Sequence, residues 1–308
     1  MAAPLKIIYA GSPQYAVPAL EKLIESGKNV VAVITQPDKP VGRRQALTPT
    51  PVKLCAQKHG LPVFDFAKIR DHVAEIKELG ADIMLTGAYG QLLTEQILNI
   101  FPKGVWNLHA SLLPKFRGAS PVQSSILAGE THTGVTVMKT ELTLDTGDIL
   151  LVKRCEIGNL TSGGLFAKLS QLSAEAAVEA VNYLENGNVQ LLMQDESKAT
   201  LCKKITKADG KIDFCNSPED ICRLIRAYNP EPVAFCNFNG SVLNILKAEP
   251  AEGVGETGAV ICADKRGITV ACGGGAIRIK ELIPAGGKKM NASDFVNGRK
   301  IKAGDVLD

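Results

Sequence analysis

Apolar and polar positions along the chain fall into short blocks whose period switches between that of a buried strand and that of an amphipathic helix. Residues 5–10 form an apolar run closed by Gly11-Ser12-Pro13, and apolar residues then recur at helical spacing over 15–24. A second apolar run over 29–34 follows a short link at Gly27. Strand, helix and strand in that order predict the opening of a parallel sheet. The rhythm continues with a helix over 51–58 that has proline at its start, a strand over 61–64, a helix over 69–79 and a strand over 81–86. A strand over 104–109, a helix over 120–129, a strand over 134–138 and a long amphipathic helix over 163–186 complete it. In that last helix Leu165, Leu169, Leu172, Ala176, Ala180 and Leu184 share one stripe, which suits packing against the sheet.

From 187 to about 208 the pattern weakens and Lys198, Lys203, Lys204 and Lys207 accumulate. The remainder reads differently. One helix over 218–228 is followed by short β-type runs at 233–238, 241–248, 258–263, 268–272 and 276–282, with an Asn239-Gly240 turn between the first two. Closely spaced short strands predict a small barrel. The expected fold class is α/β: a Rossmann-like parallel-sheet domain over 1–187, a linker over 188–208 and a C-terminal β-barrel domain over 209–308.

At 308 residues the chain suits one large domain plus a second, and 45% hydrophobic content supplies a sizeable core. No apolar run reaches the roughly 18 residues of a membrane span. The N-terminus passes straight into the first strand rather than through a signal peptide, so a cytoplasmic protein is expected. Eight cysteines, at 55, 155, 202, 215, 222, 236, 262 and 272, include no Cys-x-x-Cys pair and no Cys/His cluster at zinc spacing. They predict reduced thiols, and no metal site. The first βα turn lacks Gly-x-Gly-x-x-Gly, which disfavours a dinucleotide, and Gly286-Gly287-Lys288-Lys289 lacks the spacing of a phosphate loop. A net charge of +3 is too small to announce nucleic acid, so any basic surface must be local. One such place is 35–51, where four prolines, a glycine and the cations Lys39, Arg43 and Arg44 predict an exposed basic loop without regular structure.

The candidate chemistry lies at 107–118, Asn-Leu-His-Ala-Ser-Leu-Leu-Pro-Lys-Phe-Arg-Gly, and at Leu144-Asp145-Thr146-Gly147-Asp148. Asn107 and His109 alternate at the end of a strand, which puts both side chains on one face. Pro114 has no donor and restrains Leu113, so the turn Ser111-Leu112-Leu113-Pro114 leaves backbone polar groups for a ligand. Tyr89 and Gly90 end another central strand, and parallel sheets bind ligands at such ends. Asp145, in the loop 141–147, returns towards the same place. His59, His72 and His132 read as structural or surface groups.

The run Asn-x-His-x-Ser-Leu-Leu-Pro with a downstream Asp-Thr-Gly-Asp resembles the folate-dependent formyltransferases, which use 10-formyltetrahydrofolate and no metal. That resemblance implies catalytic roles for Asn107, His109 and Asp145. It also implies a pterin crevice that includes Tyr89, Gly90, Ser111, Leu112, Leu113 and Pro114. The stretch from Gln36 to Lys53 is similar to the inserted loop of methionyl-tRNA formyltransferases, which enters the acceptor end of initiator tRNA. Lys39, Arg43 and Arg44 are the implied tRNA contacts, an OB-like tRNA-contacting barrel is the implied C-terminal domain, and a monomer is expected. Amino-sugar nucleotide formyltransferases and 10-formyltetrahydrofolate hydrolases share the Asn, His and Asp set and are the alternatives. A non-enzymatic RNA-binding relative would carry a broken set, whereas here all three groups are present.

Overall fold

A computed structural model describes residues 4–42, 45–187, 189–298 and 300–308. The chain divides into two compact units, the first made of 1–121, 132–156 and 166–202 and the second of 122–131, 157–165 and 203–308.

The strands of the first unit are β1 (Ile7–Gly11), β2 (Val30–Ile34), β3 (Lys39–Val41), β4 (Ala46–Thr48), β5 (Val63–Phe64), β6 (Ile83–Gly87), β7 (Val105–His109), β8 (Arg117–Gly118), β9 (His132–Lys139), β10 (Ile149–Glu156) and β11 (Leu201–Cys202). Seven of them form one sheet in the order β10-β9-β7-β6-β1-β2-β5. From β5 to β7 the neighbours are parallel, whereas β9 runs antiparallel to β7 and β10 antiparallel to β9. The result is a mixed α/β sheet. β1 and β6 are buried at every position, as strands covered on both faces must be.

Four helices belong with this part of the chain: α1 (Val17–Glu25), α2 (Pro51–Lys58), α3 (Val73–Glu78) and α4 (Glu95–Leu98). Thr50 caps α2, its side chain accepting from the Lys53 amide at 3.1 Å, and Pro51 occupies the first turn where no amide hydrogen is needed. After α5 (Pro121–Leu127), α6 (Ser162–Asn186) buries Leu165, Leu169, Ala176, Ala180 and Leu184, the expected stripe without Leu172.

Chain order places β2 and β5 on one side of β1 and β6 and β7 on the other. The crevice of such a sheet opens outside the carboxyl ends of β1 and β6, where the winding reverses. The two strands meet there closely: a Cβ on Gly11 would lie 2.9 Å from the Gly87 carbonyl oxygen.

Three features depart from the sequence expectation. The basic loop contains regular structure, because β3 and β4 pair as an antiparallel ribbon with Pro40 opposite Leu47. The helix expected at 69–79 is a 3-10 turn, Ile69–Asp71, followed by α3. Finally, residues 189–202 of the expected linker pack as part of the first unit: Leu192 pairs with Ile149, and β11 pairs with β8.

The second unit holds β12 (Ala234–Phe238), β13 (Ser241–Ala251), β14 (Val260–Asp264), β15 (Gly267–Cys272), β16 (Gly275–Pro284) and β17 (Met290–Asn291). They form an antiparallel sheet in the order β12-β13-β16-β15-β14, with β17 on β16. Its core joins Ile245, Ile268, Ile277 and Ile279 to Ile225 of α7 (Pro218–Ala227) and Phe295 of α8 (Ala292–Asn297). Among the described residues no disulfide links the cysteines.

Met84 of β6 is fully buried in the core of the first unit. Met84→Ala is expected to cost about 2–5 kcal/mol, read as a lowered denaturant midpoint of that unit's transition.

Candidate active site

Sheet register explains how the site is assembled. Asn107 of β7 lies opposite Thr86 of β6, and His109 lies opposite Thr136 of β9. The Thr86 hydroxyl donates to Asn107 Oδ1 at 2.8 Å. With its oxygen engaged, the Asn107 amide presents nitrogen as the end able to donate to a ligand. Thr136 is fully buried and pins the following turn: its hydroxyl donates to the Ser111 carbonyl at 2.7 Å and accepts from the Leu113 amide at 3.2 Å. Ser111 in turn donates to the Lys115 carbonyl at 2.6 Å. The turn 111–114 is therefore held at the carboxyl end of β7 by a side chain of the neighbouring strand.

His109 and Asp145 are both buried, at 5% and 7% exposure, and His109 Nδ1 lies 3.6 Å from Asp145 Oδ2. His109 Nε2 is 2.9 Å from the Phe116 carbonyl oxygen, which only accepts, so this nitrogen carries a proton. A second proton on Nδ1 would face the carboxylate. The same Asp145 Oδ2 accepts from the Gly118 amide at 2.8 Å. Gly118 has φ +118°, and a Cβ there would lie 2.3 Å from the Cys202 carbonyl oxygen, so the donor can be presented only by glycine. Asp145 itself sits at φ +55°, a region that aspartate tolerates better than most residues.

The sequence reading of 188–208 missed what holds this loop. Gln194, 7% exposed, donates from Nε2 to the carbonyl oxygens of Asp145 and Gly147 at 2.9 and 2.8 Å. Its Oε1 accepts from Arg117 Nε and Nη2 at 3.1 and 2.8 Å. Arg117, also buried, pairs with the exposed Glu196 at 2.6 Å and holds that carboxyl below its ordinary value. Thr86 and Thr136 were missed as well. Their signal is a hydroxyl inside an otherwise apolar strand; Gln194 has no local signal, since all its partners are distant in sequence.

Tyr89 is buried in the core, and burial pushes its phenol up. Its carbonyl accepts from Gln36 Nε2 at 3.2 Å, and Gly90 follows at φ +83°. Both stand just beyond β6 at the crevice. Lys39 is exposed on β3, while Arg43 and Arg44 lie outside the described residues. A cavity of about 820 Å³ lined by Phe101, Gly104, Trp106, Lys139 and Leu142 opens at the amino end of β7, the end remote from His109. Among the described residues, Glu21, Cys55 and His59 form a group with metal-ligand spacing, which α1 and α2 assemble and the sequence spacing does not reveal. None of the three takes part in the contacts around Asp145.

Two family models cover most of the chain: formyl transferase over residues 5–181, and formyl transferase C-terminal domain over 204–300. The chain belongs to the formyl transferase family. Among relatives, the methionyl-tRNA formyltransferase of Stutzerimonas stutzeri is 42% identical over 303 residues, 97% of this chain and 96% of that one. The methionyl-tRNA formyltransferase of Geobacter metallireducens is 40% identical over 305 residues, 98% of each. The fold is shared with the N-formyltransferase of Helicobacter canadensis solved with folinic acid and dTDP-3-aminofucose, at TM-score 0.69 and 19% identity over 93% of this chain and all of that one. For a formyl transferase, the arrangement offers an amide donor, an imidazole and a buried carboxylate at the carboxyl end of one strand.

Gly147 approaches the Lys139 carbonyl so closely that a Cβ would lie 1.8 Å from that oxygen. Gly147→Ala is expected to displace the Asp145 loop and lower turnover about 100-fold, while a thermal melt still shows a cooperative transition.

Proposed function

We propose that this formyl transferase moves the formyl group of 10-formyltetrahydrofolate to the α-amino group of methionine carried on initiator tRNA, giving the formylated aminoacyl-tRNA used to start translation. The single observation that carries the reaction is the Asp145 carboxylate, buried 3.6 Å from His109 on the strand that also presents Asn107. The acceptor rests on likeness along nearly the whole chain to methionyl-tRNA formyltransferases. A folate suits the crevice because the turn 111–114 and the Tyr89-Gly90 segment both border the carboxyl ends of the central strands. When bound, the folate supplies a formyl group on N10 that the amine can take.

Asn107 Nδ2 donates to the formyl oxygen as negative charge grows on it, the role of an oxyanion-hole amide. Thr86 fixes the direction of that donor in advance. His109 holds or passes the proton that must leave the amine and reach N10. Asp145 sets the orientation of the imidazole and offsets positive charge on it. Lys39 together with Arg43 and Arg44 is the proposed contact of the inserted loop with the acceptor end of the tRNA, where guanidinium groups suit phosphate or an unstacked base.

The test is formyl transfer from 10-formyltetrahydrofolate to charged initiator methionine tRNA, with charged elongator methionine tRNA and an amino-sugar nucleotide as parallel acceptors. Preference for the initiator is expected; turnover with the sugar alone would overturn the acceptor, and release of formate without transfer would overturn the transferase reading. Asp145→Asn is expected to fold and to lose roughly 10²–10⁴-fold in kcat, the range of positioned acid–base groups. Arg43→Ala is expected to raise KM for the aminoacyl-tRNA about 10–100-fold and leave KM for the folate unchanged. Equal effects on both would remove Arg43 from the tRNA contact.

A further inference from the structure

We infer that Gln194 is a positioning residue of the active site, a clamp that sets the Asp145 carboxylate against His109. The inference rests on the transferase reading for its kinetic test and on geometry for its structural one. The turn through Asp145 adopts φ +55° and directs the carbonyl oxygens of Asp145 and Gly147 at one point. Two buried acceptors at one place need two donated protons, and a single primary amide nitrogen has two. Gln194 Nε2 meets them at 2.9 and 2.8 Å.

Arg117 decides which end of the amide faces the turn. Its Nε and Nη2 donate to Gln194 Oε1, so the oxygen points to the guanidinium and the nitrogen to Asp145. Arg117 is fixed in turn by two bonds to Glu196, at 2.9 and 2.6 Å. The segment carrying Gln194 is stitched down on both sides. Leu192 and Ile149 exchange backbone bonds of 2.9 and 2.8 Å on one side. On the other, Thr200 accepts from the Phe116 and Arg117 amides, each at 2.8 Å. Those attachments span the chain before and after the site: Phe116 carries the carbonyl that meets His109, and Gly118 carries the amide that meets Asp145. The strap therefore fixes both partners of the carboxylate and the carboxylate itself.

Gln194→Met keeps length and volume but donates nothing; Gln194→Glu keeps the Arg117 contact and turns an acceptor towards two carbonyl oxygens. Both are expected to lower kcat about 10–100-fold with KM for folate and for aminoacyl-tRNA changed less than about threefold. In an Asp145→Asn background the same changes should cost less than about threefold, because their effect passes through Asp145. Unaltered kcat, or an equal loss in the two backgrounds, would overturn the clamp. A readout that needs no reaction is the NMR titration of the His109 imidazole: both Gln194 variants should move it towards that of Asp145→Asn, and a wild-type curve in a folded variant would overturn the clamp. If wild-type protein transferred no formyl group, the titration would still decide the clamp, and the transferase reading alone would fall. Should Gln194→Met fail to fold, Gln194→Glu, which retains the Arg117 pairing, carries both measurements.

Discussion

A carboxylate removed from water must be compensated within the protein, and the active-site region of this formyl transferase is arranged around one such group. Asp145 is almost wholly buried, and its Oδ2 meets both the Gly118 amide and the His109 ring. Stranding a buried charge costs several kcal/mol, so the amide and the imidazole are conditions of folding as well as neighbours of the proposed chemistry. The requirement propagates outward. Gly118 can offer its amide only at a backbone angle reserved for glycine, and the close approach of the Cys202 carbonyl leaves no room for a Cβ. Asp145 can turn inward only through a left-handed residue whose carbonyl then needs a partner, which Gln194 provides.

Topology supplies what local structure cannot. A purely parallel sheet would carry the chain away from β7 after each crossover, to return at the other end of the sheet. The antiparallel return of β9 against β7 instead sets Thr136 opposite His109, where its hydroxyl holds the turn 111–114. The next loop leaves β9 beside Trp106, at the amino end of β7, and comes back to set Asp145 against His109. The change from parallel to antiparallel pairing thus lets a side chain of the neighbouring strand hold the turn that follows β7.

How much of this could be read from the sequence follows from the range of each interaction. Elements specified by their own periodicity were legible: α2 begins at Pro51 and ends at Lys58 as expected, and β7 ends at His109. So was the pairing of Asn107 with His109 on one face, which needs only the alternation of a strand. The β3–β4 ribbon was not legible, because three-residue strands containing Pro40 carry no alternation to detect. β10 begins apolar and then places Lys153, Arg154 and Glu156 on the last strand of the sheet, a composition that protects an edge but obscures a strand. Gln194 was the least legible. It lies in a stretch of weak pattern because that stretch follows the surface of other elements and forms almost no secondary structure of its own.

The division between legible and hidden residues also separates the proposed chemistry from its support. Asn107, His109 and Asp145 stand in compact motifs because a strand end and a tight turn can present them with few residues. The groups that hold these residues or the backbone beside them, Thr86, Thr136 and Gln194, come from separate parts of the chain, and each makes contacts to more than one of its neighbours. Orientation within a fraction of an ångström needs side chains whose own rotamers are held, and a held rotamer requires partners from several directions. A three-residue constellation can therefore recur in proteins that share only the fold, while its precision in any one of them depends on contacts that no short motif records. In this chain those contacts run through a segment beyond the long helix, so the first unit is closed by residues as far along as Cys202.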